Sequence, residues 1–442
     1  MAILFQNSRS LSGRERGLCL EEKAPKTQAS AGSQMRRNVI WNIIGSLCMA
    51  ASTVVLMSAA GRIGEAEGAL FAAALTMAQQ LAVIGYFEVR AIQVTDVDEK
   101  HAFADYLGFR LITCAVMFIG CAAYGIFTGQ TRAAMLAAVL IGVYKMTDAF
   151  ADVFEGEFQK RGRLDLSGVS MAVRVLLSVG AFCVAAVLTR NVTAAILAAL
   201  FGQCAALFVT DLRPVKHFSG LRVRFEKEQM RGIFADCVML FIGNFLLLYL
   251  MNAAKYAGER YLSDADYYRY TAALFLPAYA INLVSNFLFR PVLVTMSEQY
   301  RAGEYAAFEK LVGKLRLGIA GITAAGLAAA AIAGIPVLEL MYPVDLSGCL
   351  PGLLLVILGG GLYAVGIILY YVDTVMRRQT ALCLAYLLAV VITLPLPYLL
   401  VKRGGLMGAC TAFALEMVIL VAVLAADLMM AWRKVKKGGA RA

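Results

Sequence analysis

Lys145, Asp148, Asp152 and Glu155 all fall inside one apolar run, 133–155. Steps of three and four place Lys145, Asp148 and Asp152 on one face of a helix. Each charge near the centre of a bilayer costs about 2.5–3.5 kcal/mol on insertion scales, so such a face must point inward. Two chemistries suit it. The carboxylates either pair with Lys145 inside their own helix, or line a hydrated cavity where Asp148 or Asp152 relays a proton or binds sodium. Arg110 and Arg174 lie in two other apolar runs of the same half, and Arg90 and Arg290 stand at run ends, where a long side chain can snorkel to the interface. Arginine's planar fork gives phosphate two parallel hydrogen bonds. A cationic pocket built from Arg90, Arg110, Lys145 and Arg174 therefore points to an anionic ligand.

Neutral polar residues form a second set. Asn38, Asn42 and Ser46 recur at steps of four, Asn244 and Asn252 mark a later run, and Asn282, Ser285 and Asn286 another. They fit hydrogen bonds between helices, or amides that line a cleft and meet sugar hydroxyls. Pro277, Pro291, Pro395 and Pro397 are sites for kinks. Enzyme signatures are missing: no phosphate-binding loop, nucleophile elbow or zinc-helix motif occurs, and no cofactor is implied. The ten cysteines are scattered without a CxxC pair, and His101 and His217 make no metal constellation. The Asn-Val-Thr at Asn191 lies in a very short loop and reads as a chance glycosylation pattern.

The elements that hold these residues are helices in a membrane. Mean hydropathy is +0.71, 60% of the 442 residues are apolar and 16% are charged, too few charges for a solvated surface. Apolar runs fall at 38–60, 68–90, 103–127, 133–155, 168–189, 192–211, 232–252, 269–290, 315–341, 349–371, 380–401 and 405–431. At roughly 20 residues per crossing these make an all-α polytopic protein of about twelve spans. Residues 1–35 read as a disordered tail, 213–231 as a basic linker and 433–442 as a basic tail. With the N-terminus inside, 30 of the 41 Lys and Arg fall on the inner side and eight, Lys255 among them, on the outer. The positive-inside rule then places both termini in the cytoplasm. The longest outer loop is expected at about 252–269. The net charge of +11 is that of cytoplasmic loops, not of a nucleic-acid binder.

An internal repeat divides the chain. Phe87–Thr95 and Phe287–Thr295 both read F-x-x-R-x-x-x-V-T, with Arg90 matching Arg290. Six helices separate the copies, which predicts two parallel six-helix lobes, 36–212 and 232–432, with the substrate between them.

NVIWNIIGS at Asn38–Ser46, the segment Gly85–Thr113 and the segment Asp152–Arg174 resemble bacterial polysaccharide (O-antigen-type) flippases of the multidrug/oligosaccharidyl-lipid/polysaccharide exporter superfamily. The helix plan agrees over 36–432. The resemblance implies a V-shaped two-lobed fold in the bacterial cytoplasmic membrane. It also implies movement of undecaprenyl-pyrophosphate-linked oligosaccharide to the outer leaflet, with a polysaccharide polymerase and glycosyltransferases as partners. Twelve spans match it better than the fourteen of lipid II flippases. On this basis Arg90, Arg110, Lys145 and Arg174, with Arg290 from the second half, are expected at the pyrophosphate, and Asn42, Asn244 and Asn286 at the sugar. Lobe rocking would be coupled to H+ or Na+. Rival readings are multidrug efflux on the same fold, a polysaccharide polymerase or ligase, and a non-transporting scaffold.

Overall fold

A computed structural model describes residues 28–439 except 97–98, 128–130 and 290–291; for 28–32, 95, 126–127, 286–289, 293–294 and 434–439 it describes backbone only. The chain is a polytopic α-helical membrane protein. Among the described residues ten helices are long and apolar enough to cross a bilayer: the first span Ser33–Gly61, second Glu65–Val94, third Phe103–Gly125, fourth Arg132–Lys160, fifth Leu164–Thr189, sixth Val192–Val215, seventh Lys227–Tyr261, ninth Tyr305–Met341, tenth Leu350–Val375 and twelfth Leu396–Arg433. The two other apolar runs are helical but interrupted. The eighth span occupies 264–289, with a wide turn over Arg269–Leu274 and a break at Phe275, just before Pro277. The eleventh, Gln379–Thr393, stops before Pro395, and the helix Leu396–Arg433 is kinked at Gly405 (φ 54°), so that its first turns, from Leu396 up to the kink, continue the eleventh. Proline removes a donor and glycine alone enters that backbone region cheaply.

The two halves pack by similar pairings. The first span lies on the fifth, the second and third on the fourth, and the sixth on the fourth and fifth; in the second half the seventh lies on the eleventh, the eighth and ninth on the tenth, and the twelfth on the tenth and eleventh. The first and fifth spans approach closely because both present glycine. A Cβ on Gly168 would lie 2.2 Å from the Trp41 carbonyl oxygen, and one on Gly45 2.6 Å from that of Gly168. Outward-facing side chains are apolar, as lipid requires: Ile332 is 85% and Leu340 80% exposed.

Sequence-based boundaries need correction at two places. The helix of the first span begins at Gln28, inside the expected tail. The seventh span runs on to Tyr261, so the long outer loop expected at 252–269 shrinks to Leu262–Ser263, and Lys255, counted outside, lies within a span. The basic linker folds back on the bundle, where the Arg224 amide donates to the Ala104 carbonyl at 3.0 Å.

Candidate functional site

The fourth span is the hub of a buried ionic network. Arg90 of the second span donates to Asp152 at 3.2 Å and Glu155 at 2.8 Å. Arg110 of the third donates to Asp152 at 2.8 Å. Arg174 of the fifth meets Glu155 at 2.7 Å, Asp148 at 3.4 Å and Asp211 of the sixth at 3.5 Å. Lys145 pairs with Asp148 at 3.2 Å, and Gln203 donates to the same carboxylate at 2.6 Å. The four cations Arg90, Arg110, Lys145 and Arg174 thus come together, but inside the first half and not between the halves, and against four carboxylates, Asp148, Asp152, Glu155 and Asp211. Charges taken out of water are tolerable only when paired and hydrogen-bonded to this degree. Arg110 is 0% and Arg174 2% exposed, which leaves neither guanidinium open to a visiting phosphate in this conformation.

Arg110 has a further local task. The second span breaks at Phe87 and Glu88, whose φ angles of 44° and 54° are left-handed. Such a break orphans carbonyls that hydrocarbon cannot solvate. Arg110 donates to the carbonyls of Gly85 and Tyr86, at 2.7 Å for the latter, and the Thr113 hydroxyl donates to Gly85 at 2.8 Å. Phe87 holds the break in place, stacked on Phe241 of the seventh span with ring centroids 4.3 Å apart. The break turns Glu88 toward the second half, where Asn244 donates to its carboxylate at 2.7 Å.

A cleft between the halves is the candidate binding site. One chamber of about 500 Å³ lies between the first, second, seventh and eighth spans, among Met57, Thr76, Gln79, Lys255, Tyr279 and Asn282. A second, of about 260 Å³, takes in Glu88, Asn244, Asn282, Tyr363, Tyr370 and Tyr386. Asn282 borders both chambers. Lys255 is 2% exposed and has no carboxylate within ion-pair distance among the described residues. Its ammonium instead donates to the Tyr279 hydroxyl at 2.6 Å and stands 3.8 Å above the centre of the Phe275 ring, the arrangement of a cation–π contact.

Of the residues singled out from sequence, Asn244 and Asn282 border this cleft. None of Arg90, Arg110, Lys145, Arg174, Asp148 or Asp152 lines either chamber; all six belong to the ionic network. Asn42 sits where the first span crosses the fifth, its backbone beside Gly168. Arg290 and the side chain of Asn286 lie outside the described residues. Lys255 and Glu88 were missed. The signal for Lys255 was present in Ala253, Ala254, Tyr256 and Ala257, which continue the apolar helix past Asn252; none existed for Glu88, which reads as a span-end residue until the break is seen.

At its far end, away from the termini, the first span is tied to the second half: the Ser58 hydroxyl donates to the Met341 carbonyl at 2.6 Å, and Tyr268 donates to that of Met57. Toward the termini its hydrogen bonds run instead to the fifth span, from Gln34 and Arg37 to Asp165 at 2.9 and 3.1 Å.

Solved structures share this arrangement. An inward-facing multidrug resistance MATE family transporter of the MOP superfamily superposes with a TM-score of 0.65 over 91% of this chain and 99% of that one, at 14% identity. The chain has the MATE transporter fold. A point mutant of a Vibrio cholerae MATE transporter gives 0.61 at 13% identity, covering 92% and 99%. A MOP superfamily transporter from Pyrococcus furiosus, whose binding pocket is described as reversed in polarity and suggestive of a different function, gives 0.58 at 14%, covering 90% and 95%. No protein-family model and no curated protein matches the chain. The cleft is lined by residues from both halves of the chain, whereas the ionic network is built from the second to sixth spans.

Proposed function

We propose that this chain is a secondary transporter that exports amphiphilic small molecules by alternating access through the cleft. The observation that carries this reading is the cleft's lining: mostly apolar and tyrosine-rich, with a few polar groups, in chambers of drug-sized volume. The structural likeness to multidrug transporters supports the same reading. Segments 36–212 and 232–432 act as the two rocking units, and the side that carries the termini is the cytoplasmic face. The contacts of Ser58 and Tyr268 close the far mouth in this state, so the cleft loads from the cytoplasm or inner leaflet. The pairing of Asp148 and Asp152 with Lys145 and Arg110 supports a structural role for both carboxylates over a coupling role.

Dye efflux from cells and from proteoliposomes tests the proposal. Expression should lower accumulation of ethidium-like amphiphiles, with dependence on a proton or sodium gradient read by collapsing each separately. Proteoliposomes that move no amphiphile under either gradient would sink it.

A second reading keeps the flippase. Lys255, a buried cation without a carboxylate, faces the cleft, where a lipid-linked pyrophosphate could meet it while its tail stayed in lipid. Under this reading Arg90, Arg110, Lys145 and Arg174 reach phosphate only after the network opens, and a polysaccharide polymerase and glycosyltransferases act before and after it. Transfer of a fluorescent lipid-linked oligosaccharide between leaflets distinguishes the two.

A further inference from the structure

Among the described residues the cleft has two charged groups, set at opposite ends of it. Lys255 holds the chamber nearer the far face, and Glu88 the chamber nearer the termini. Both stand on or against the seventh span, since Glu88 is fixed by Asn244, eleven residues before Lys255. A helix rises 1.5 Å per residue, so the two groups are about 16 Å apart along the bundle. They are too distant to neutralise one another, and Asn282 joins the chambers between them.

We infer that the cleft selects amphiphiles that carry both charges, an anionic group at Lys255 and a cationic group at Glu88, separated by an apolar stretch of roughly this length. The inference rests on the transport reading and names its substrate class.

Three features support it. Among the described residues Lys255 has only a neutral hydroxyl and the faces of Phe275 and Tyr279 as partners, so a carboxylate or phosphate arriving there gains a charge-assisted bond without breaking an ion pair. Glu88 shares its chamber with Tyr363, Tyr370 and Tyr386, and the face of a tyrosine ring also attracts an ammonium. The backbone that presents Glu88 is held in two successive left-handed residues, a conformation that persists only where surrounding structure enforces it and that gathers at ligand sites. A cleft made for cations alone has no use for Lys255, and one made for anions alone has none for Glu88.

The test measures binding to the full chain in lipid nanodiscs, with empty nanodiscs subtracted, using 12-aminododecanoate, 6-aminohexanoate, dodecanoate and dodecylamine. The long zwitterion should bind at least about tenfold more tightly than the short one or either singly charged chain. Lys255→Met should weaken 12-aminododecanoate and dodecanoate about tenfold and leave dodecylamine within about twofold; Glu88→Gln should do the converse. Lys255→Gln, which keeps a donor for Tyr279, replaces the methionine variant if that one misfolds. Failure of the wild type to bind the long zwitterion preferentially, or equal loss for every probe in both variants, overturns the inference. Dye efflux by the same preparation reads the transport proposal separately. Efflux together with head-group-blind binding overturns only the two-charge substrate, and pole-specific binding without efflux overturns only transport.

Discussion

Glu155 accepts from Arg90 and Arg174 at once, and each of these two guanidiniums answers for more than one carboxylate. Removing one cation strands the others' partners. Arg174→Ala leaves Asp211 and part of Glu155 buried without a counter-charge, a loss of about 3–5 kcal/mol. Thermal or denaturant unfolding in detergent should show it, while wild-type stability in this variant would mean that the pairs carry no weight. Outside the bilayer, Asp96 behaves as a cap. Partial burial disfavours its carboxylate, but the amides of His101 and Lys100 and the Tyr106 hydroxyl outweigh that and hold its carboxyl below the usual range. A folded pKa below the unfolded one gives stability present above pH ~4 that is lost as pH falls through the folded value. Asp96→Asn should therefore lower the unfolding midpoint at neutral pH, with the gap to wild type closing in acid.

Packing between elements turns on residues that are small or broken. The first and fifth spans meet backbone to backbone at Gly45 and Gly168, where a methyl group would strike a carbonyl rather than a side chain able to move. Gly168→Ala should push the first span off the fifth and cut stability by about 1–3 kcal/mol. Gly180→Ala, with open space at the same fifth span, should be neutral or slightly stabilising in the same unfolding assay. The broken second span makes a related demand. Arg110→Leu frees the Tyr86 carbonyl and leaves Asp152 with Arg90 alone, and it should destabilise more than Arg90→Leu, whose site is partly open to solvent.

Across the whole molecule, the proposed alternating access makes closure of the far mouth the property that would separate this state from its opposite. Ser58 and Met341 touch across the halves, so cysteines at both positions in a cysteine-free background should form a disulfide readily. The cross-link should abolish efflux, and reduction should restore it. Uninhibited efflux by the cross-linked protein would show that the halves do not part there.

Hydropathy alone determined that this is a membrane protein of about a dozen helices, because lipid leaves no other way to satisfy a backbone. It also marked Arg110, Lys145, Arg174, Asp148 and Asp152 as inward-facing, since an intramembrane charge has nowhere else to go, while Arg90 at a run end could equally have snorkelled to the interface. It could not say which charges would cancel. Asp211 completes the network from the end of the sixth span, far from Arg174 in sequence, and pairing of that kind appears only when helices are placed side by side. The tertiary structure likewise moved Lys255 from a loop into the cleft and turned Glu88 toward it through the break at Phe87. A span's composition fixes its solvent, but which of its faces meets a cavity depends on the packing of helices distant in the chain.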